Sequence, residues 1–209
     1  MEEHADTGTI SDRIRAAYDR IAADYAELNA AMPGESIDAG TRLLGLTGAG
    51  VHILDAGCGA GRDMAWLEAQ GARVVGVDLS RGMLAQARQI TRGPLAQMDL
   101  RRLAFRDSRF GGVWCAASLL HLPKAEAPGA LRELHRVLRP GGLLHLSIQE
   151  GEGERWESNP DGTVERLFAR YSAEAAAALL DGAGFAVLDL VVNDAGTRRW
   201  LSFLARRGA

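Results

Sequence analysis

Only two cysteines occur in the 209 residues, Cys58 and Cys115, and both lie in glycine-rich or apolar, strand-like surroundings rather than at any disulfide or metal-ligand spacing. Reduced thiols are expected. The five histidines, at positions 4, 52, 121, 135 and 145, include no H-x-x-x-H pair, and the acids Glu150, Glu152 and Glu154 read as a solvated loop, so no metal is expected. No stretch reaches the roughly 18 apolar residues that a membrane span needs. The best uncharged run, Phe110 to Pro123, contains glycines, Ser118 and His121. The opening MEEHADTG is acidic where a secretory signal is basic and then apolar, which leaves the cytoplasm as the expected location. A surplus of basic charge is also missing. With 24 Lys and Arg against 27 Asp and Glu, the formal charge is −3, so the chain lacks the footprint that holds a polyanion by counterion release. Small molecules are the default partner. No repeat or low-complexity tract is present, and helix propensity accounts for the alanine-rich AEAAAALL.

What the chain does hold is an ordinary globular balance, 47% hydrophobic and 24% charged, at a length that predicts one domain over residues 1–209. Apolar residues at three- and four-residue spacing (Ile10, Ile14, Ala17, Tyr18, Ile21, Tyr25, Leu28) describe an N-terminal helix, broken by Met32-Pro33-Gly34. A second helix over about Ile37 to Leu46 completes a pair of cap helices over about 10–46. Strands and helices then alternate: strands at Val51–Asp55, Arg73–Asp78, Leu95–Met98, Gly112–Ala117 and Leu143–Ile148, with helices after Asp63, over Arg81–Ile90 and over Ala130–Leu138. Such alternation predicts a doubly wound α/β fold, a mostly parallel sheet covered by helices on both faces. Gln149 to Glu165 is polar, with glycines, Pro160 and a lone Trp156, and is expected to be a mobile connection, with a substrate lid over about 150–170. Ser172 caps a last helix through Leu180. Phe185–Val192 and Arg199–Arg206 then form strands whose short connection favours an antiparallel pair.

The segment Asp55-Ala56-Gly57-Cys58-Gly59-Ala60-Gly61 puts glycines where a strand hands over to a helix, allowing a tight turn with a ligand directly against the backbone. Its spacing is G-x-G-x-G, followed by Arg62 and Asp63. A dinucleotide-binding turn is G-x-G-x-x-G, and Asp63 would repel a diphosphate. Asp55 before the loop suits a ligand with a positive centre. Asp78, 23 residues on, is placed to accept from both hydroxyls of a ribose, and Asp99, 21 residues further, to accept from an exocyclic amine such as that of adenine. Each carboxylate alone also reads as a helix cap or a solvated strand end. Three at successive strand ends point to one ligand.

These residues resemble the class I, seven-strand S-adenosylmethionine-dependent methyltransferases, of the small-molecule type. LDAGCGAGR, VVGVDLSRGML, MDLRRLAF, FGGVWCAASLLHLP and RVLRPGGLLHLS resemble the family's successive motifs in order and spacing, and FARYSAEAAAALLDGAGFAVLDL with RRWLSFLARR resembles its last helix and antiparallel strands. The resemblance runs from about Tyr18 to Ala205. It implies a seven-stranded sheet with an antiparallel last strand. It also implies S-adenosylmethionine as cofactor, with S-adenosylhomocysteine as product. Asp55, Gly57, Gly59, Gly61 and Arg62 would hold the methionine end, Asp78 the ribose, Leu79 and Met83 the adenine faces, Asp99 and the Leu100 amide its edge, and Ala117 and Ser118 the floor.

Methyl transfer from a sulfonium is an in-line displacement, so the protein's task is alignment, exclusion of water and, for some acceptors, removal of a proton. His121, beyond the fourth strand, is the candidate base, expected to titrate near neutrality, although a loop histidine bonded locally fits the same position. Tyr18 and Tyr25 resemble the helix that covers the site in small-molecule members, and Trp156, Phe168 and Tyr171 are candidates for the opposite wall. No Asn-Pro-Pro-Tyr or Asp-Pro-Pro-Tyr follows the fourth strand, which argues against DNA as acceptor. Cys115 lacks an adjoining proline, which argues against covalent attack on a pyrimidine. A binding protein without catalysis, an RNA-directed methyltransferase and a nicotinamide-dependent oxidoreductase are the competing readings. Monomer and homodimer both fit, because an apolar interface and an apolar core read alike in one sequence.

Overall fold

The computed structural model describes residues 9–196 and 198–208; the acidic opening with His4 lies outside the described residues. Helix α1 (Ile10–Leu28) is capped by Thr9, whose side chain accepts from the Asp12 amide. Helix α2 (Gly34–Thr47) follows Pro33, so both helices expected over about 10–46 are present, and α2 packs against β4 and β5. Then come β1 (His52–Ala56), α3 (Arg62–Ala69), β2 (Arg73–Asp78), α4 (Arg81–Ile90), β3 (Leu95–Gln97), β4 (Phe110–Ala116), a single 3-10 turn at Leu119–His121, α5 (Ala127–Val137) and β5 (Leu138–Gln149). No helix among the described residues is long and apolar enough to cross a membrane.

Seven strands form one sheet. After β5 the chain adds β6 (Glu154–Ser158), β7 (Glu165–Ala169), α6 (Ala173–Gly182), β8 (Phe185–Ala195) and β9 (Arg198–Arg207), and the sheet order is β3-β2-β1-β4-β5-β9-β8. The first five run parallel, and β9 is antiparallel to both β5 and β8. The strand order reverses between β1 and β4. Their carboxyl ends diverge there, the position at which open α/β sheets bind ligands. Both faces of the sheet are dry: Leu54, Val113, Leu131 and Leu134 pack on one side, and Ile53, Leu43, Met64 and Trp114 on the other. The central strands β1 and β4 are therefore almost continuously buried.

Two expectations are corrected. The polar stretch 149–165 is not an unpacked connection: β6 and β7 pair antiparallel from Glu154↔Ala169 to Ser158↔Glu165. Its turn is closed by the Val164 amide donating to Asn159 Oδ1 at 3.0 Å and the Thr163 amide donating to Asp161 Oδ1 at 2.8 Å. Val164, Leu167, Phe168 and Ala169 are buried. The polarity that hid this hairpin belongs to its exposed residues, while its packing partners on α1 and the 3-10 turn are distant in sequence. Strand β5 also begins at Leu138, including the Arg139-Pro140-Gly141-Gly142 segment expected to be only a helix stop, with a shift in register against β4 between Phe110 and Gly112.

Candidate functional site

The sheet side of the site begins at the glycine turn. Gly57 (φ 84°) and Gly61 (φ 88°) are in the left-handed region, and the Gly57 and Cys58 amides both donate to the Val77 carbonyl, at 2.8 and 2.9 Å. A Cβ built on Gly57 would lie 1.9 Å from Ser118 Oγ. Glycine is thus required there by conformation and by space. The turn directs Asp55, Gly57, Gly59 and Arg62 into a cavity of about 450 Å³, also lined by Asp78, Leu79, Met83, Asp99, Leu100, Ala117, Ser118 and His121. Gly61 stays outside the lining, packed on Ala87.

Asp78 is held rigidly. Its Oδ2 accepts from the Gly59 amide at 2.9 Å and its Oδ1 from the Ser80 amide at 2.8 Å. Each oxygen keeps a lone pair for a ligand hydroxyl. Asp55 contrasts with it: only 1% exposed, its Oδ2 has no hydrogen-bond partner. Burial, with Asp63 and Asp78 nearby, raises its carboxyl well above the usual carboxylate range. Arg62 is occupied by Asp63 at 2.6 Å, and the other oxygen of Asp63 accepts from Trp114 Nε1 at 2.9 Å. The orphaned Asp55 oxygen thus lacks a cationic or N–H partner.

Asp99 lines the cavity, but much of its acceptor capacity is spent. Arg101 donates to Oδ1 from its amide and from Nε, both at 2.9 Å, and to Oδ2 from its guanidinium, leaving about one of four acceptor positions. Arg101 also reaches Glu126 and, at 2.6 Å, Ser11 Oγ on α1. No local pattern marked this bridge.

Helix α1 closes the cavity from the opposite side. Asp19 Oδ1 accepts from Ser80 Oγ at 2.6 Å and from the Gly82 amide at 2.8 Å, so one carboxylate fastens α1 to the N-terminus of α4. A Cβ on Gly82 would meet Asp19 Cα and O at 3.0 Å, which is why the helices can approach so closely. Asp19, Ser11 and Gly82 were not among the sequence candidates, since their partners lie some 60 to 90 residues away.

Docking of α1 brings Tyr18 and Tyr25 to the cavity, their rings edge-to-face at 5.8 Å. Tyr18 Oη lies 2.6 Å from His121 Nε2, and His121 Nδ1 lies 2.7 Å from the Leu167 carbonyl on β7. The carbonyl can only accept, so Nδ1 carries the imidazole proton and Nε2 accepts from the phenol. Burial pushes the His121 pKa down to about 4, which corrects the expectation that it titrates near neutrality. Burial raises Tyr18 and Tyr25. Trp156 and Tyr171 are not brought to the cavity. Trp156 packs under Arg13 at 3.8 Å, and Lys124 sits 4.7 Å over the Tyr171 ring. Cys58 and Cys115 are buried free thiols. Burial raises both, Cys115 to about 12, so neither is a nucleophile.

An unpartnered Asp55 oxygen suits an ammonium, the two amide-held oxygens of Asp78 a pair of ribose hydroxyls, and the apolar surface of Leu79 and Met83 a purine, which are the groups of an S-adenosylmethionine molecule.

Residues 54–146 match the family model described as a methyltransferase domain. A malonyl-[acyl-carrier protein] O-methyltransferase of Dechloromonas aromatica (strain RCB) is 35% identical over 151 residues, covering 70% of this chain and 54% of the relative. The methyltransferase GfsG of Streptomyces halstedii is 36% identical over 107 residues, 47% of this chain and 38% of that protein. The chain spans about half the length of the curated relatives it matches. Burkholderia thailandensis 1,6-didemethyltoxoflavin-N1-methyltransferase, solved with 1,6-didemethyltoxoflavin and S-adenosylhomocysteine, shares the fold with a TM-score of 0.79 at 24% identity, over 99% of this chain and 94% of that one. Sheet order, glycine turn and sequence match agree in likening the chain to the class I, seven-strand S-adenosylmethionine-dependent methyltransferases.

Proposed function

We propose that the chain is an enzyme that transfers a methyl group from S-adenosylmethionine to a small organic acceptor. The observation that carries this reading is one continuous cavity that joins a cradle for a cationic nucleoside to an enclosed Tyr18–His121 pair. Asp55, Gly57, Gly59 and Arg62 would hold the methionine end, Asp78 the ribose, Leu79 and Met83 the adenine faces, Asp99 and the Leu100 amide its edge, with Ala117 and Ser118 as floor and Gly61 shaping the turn. When bound, the cofactor supplies a methyl group on a sulfonium, activated for in-line displacement.

The chain's own residues do the rest. Helix α1, fastened by Asp19, covers the cavity and excludes water, and the apolar wall around Tyr25 and Ile14 orients the acceptor. Where the acceptor atom bears a proton, Tyr18 Oη receives it as its own proton passes to His121 Nε2, the Leu167 carbonyl steadying the imidazole from Nδ1. Burial disfavours the imidazolium, so the proton resides on this pair only briefly. Trp156 and Tyr171 act through the hairpin's packing rather than at the acceptor. The relatives' printed activities include O-methylation, which makes hydroxyl and carboxyl acceptors the first to screen.

Titration calorimetry with S-adenosylmethionine, S-adenosylhomocysteine and NAD tests the reading. Micromolar binding of the first two and none of NAD is the expected result; heat with NAD alone would overturn it. Turnover follows by appearance of S-adenosylhomocysteine across an acceptor panel. Tight cofactor binding without turnover would leave a binding protein.

A further inference from the structure

The hairpin carries a feature that the cofactor cradle and the Tyr18–His121 pair leave unused. Pairing of Arg155 with Phe168 and of Glu157 with Arg166 puts these four side chains on one face, joined by Arg170 just past the end of β7. Arg198, at the start of β9, reaches the same place. The guanidiniums of Arg166, Arg170 and Arg198 stand 5.4, 5.6 and 5.8 Å from the centre of the Phe168 ring. Four arginines therefore share one carboxylate, Glu157, which is committed to Arg170 at 2.6 Å. Arginine cannot shed its proton, so this positive charge persists at every relevant pH. It is concentrated in a chain whose formal net charge is −3.

Two donors in this cluster have no acceptor. Arg166 Nε is buried without a partner, and so is Gln149 Nε2, on a residue only 2% exposed. Arg170 Nε donates to Gln149 Oε1 at 3.1 Å, which fixes the amide inside the cluster and leaves its N–H groups unclaimed. Buried donors without acceptors are uncommon in folded proteins, and each calls for an acceptor from outside the chain or for a functional reason. The cluster adjoins the acceptor end of the cavity. Arg166 Nη1 is 3.5 Å from Tyr18 Oη, its guanidinium lies 5.5 Å from the Tyr18 ring, and Phe168 meets His121 edge-on at 5.0 Å. The forked guanidinium of Arg166 matches the paired oxygens of a carboxylate or phosphate, and Gln149, held by Arg170, offers a further unclaimed donor in the same cluster.

We propose that this arginine face of the hairpin binds an anionic group, carboxylate or phosphate, on the methyl acceptor, with Arg166 as the specificity-determining residue. The acceptor is then an acid whose charged end rests on the hairpin while its reacting end meets Tyr18. This inference rests on the methyltransferase reading but concerns only the acceptor end of the site.

Malonate and inorganic phosphate are the probes, titrated at constant ionic strength into the S-adenosylhomocysteine-loaded protein so that general screening is held fixed. Saturable binding of either anion, weakened at least tenfold by Arg166→Gln with S-adenosylhomocysteine affinity unchanged, is the expected result. The tighter anion then identifies the group. Arg198→Gln, at an exposed position, gives the same loss in smaller measure and serves if Arg166→Gln does not fold. No saturable binding of either anion, or equal binding by wild type and variants, would overturn the proposal. Failure of the wild type to bind S-adenosylhomocysteine would instead strike the methyltransferase reading, and the anion titration of the unloaded protein would still report on the arginines.

Discussion

On the sheet side of the cavity, the groups that face a ligand are fixed by partners close in sequence: Asp78 by the amides of Gly59 and Ser80, 19 and 2 residues away. On the helical side the spans are far longer. Tyr18 meets His121 across 103 residues, Arg166 meets Tyr18 across 148, and Asp19 reaches Gly82 across 63. The sheet wall is a backbone device, made of a strand end, a left-handed glycine and a helix start. The helical wall exists only once α1, the 3-10 turn and the β6–β7 hairpin have docked. One family can therefore keep the first wall and rebuild the second for new acceptors.

The largest effect should come from the helical wall and should leave the other untouched. His121→Ala and Tyr18→Phe are expected to lower kcat by about 100-fold or more, the usual scale for a lost proton acceptor. Affinity for S-adenosylhomocysteine should stay within about threefold. Retained turnover with retained cofactor binding would remove the pair from the mechanism. With His121 pushed down to about 4 and therefore neutral above that pH, the pH-rate profile should show no acidic limb from it between pH 8 and 5. A limb near 6.5 would show that the imidazole is solvated, and the contrast between the walls would lose its electrostatic half.

Next in size is the reverse experiment. Gly57→Ala forces a side chain into a left-handed residue and against Ser118, at a cost of about 2 kcal/mol, read as a lower Tm with much weaker cofactor binding. Unchanged stability and binding would mean that the turn is softer than its contacts indicate.

Asp55→Asn separates stability from function within one wall. Cofactor affinity is expected to fall about tenfold, the worth of one charge-assisted hydrogen bond. The ligand-free protein should become more stable near pH 7, because an unpartnered buried carboxylate is removed. Its raised pKa means that the folded state holds the proton more tightly than the unfolded chain does. The wild type's ligand-free stability therefore declines as pH rises from the ordinary carboxylate range through the raised value, and Asp55→Asn should flatten that part of the curve. A destabilised Asp55→Asn with unaltered pH dependence would refute the unpartnered state of Oδ2.

The smallest effect is expected at the joint between the walls. Asp19→Ala removes the acceptor for Ser80 and Gly82 and should cost about 1 kcal/mol in chemical denaturation, with faster amide exchange in the middle of α1 and at the start of α4. No change in exchange would mean that the apolar face of α1, with its Ser11–Arg101 and Tyr18–His121 bonds, holds it without Asp19.

Most of the sheet was legible because parallel strands buried on both faces leave short apolar runs between glycine-marked turns; β2 and α4 have the bounds that their patterns predict. The hairpin was not, since β6 and β7 expose polar side chains, and the residues that pack them lie on α1 and the 3-10 turn. Gly57, Asp55 and Asp78 were legible because their chemistry follows from a strand-end position. Asp99 was legible as a position but not as a free carboxylate, because the Arg101 guanidinium that takes up most of its acceptor capacity also reaches Glu126 and Ser11. Trp156 and Tyr171 have the chemistry of a substrate wall, but pairing turned them elsewhere.

The sequence alone therefore determined the doubly wound order, the glycine turn and the carboxylates at its strand ends, because each is written in residues within one β-α unit. The tertiary structure alone decided the imidazole's tautomer and low pKa, the seating of α1 and the arginine face beside Tyr18. These depend on burial and on carbonyls and charges brought together from distant segments, which no local spacing encodes.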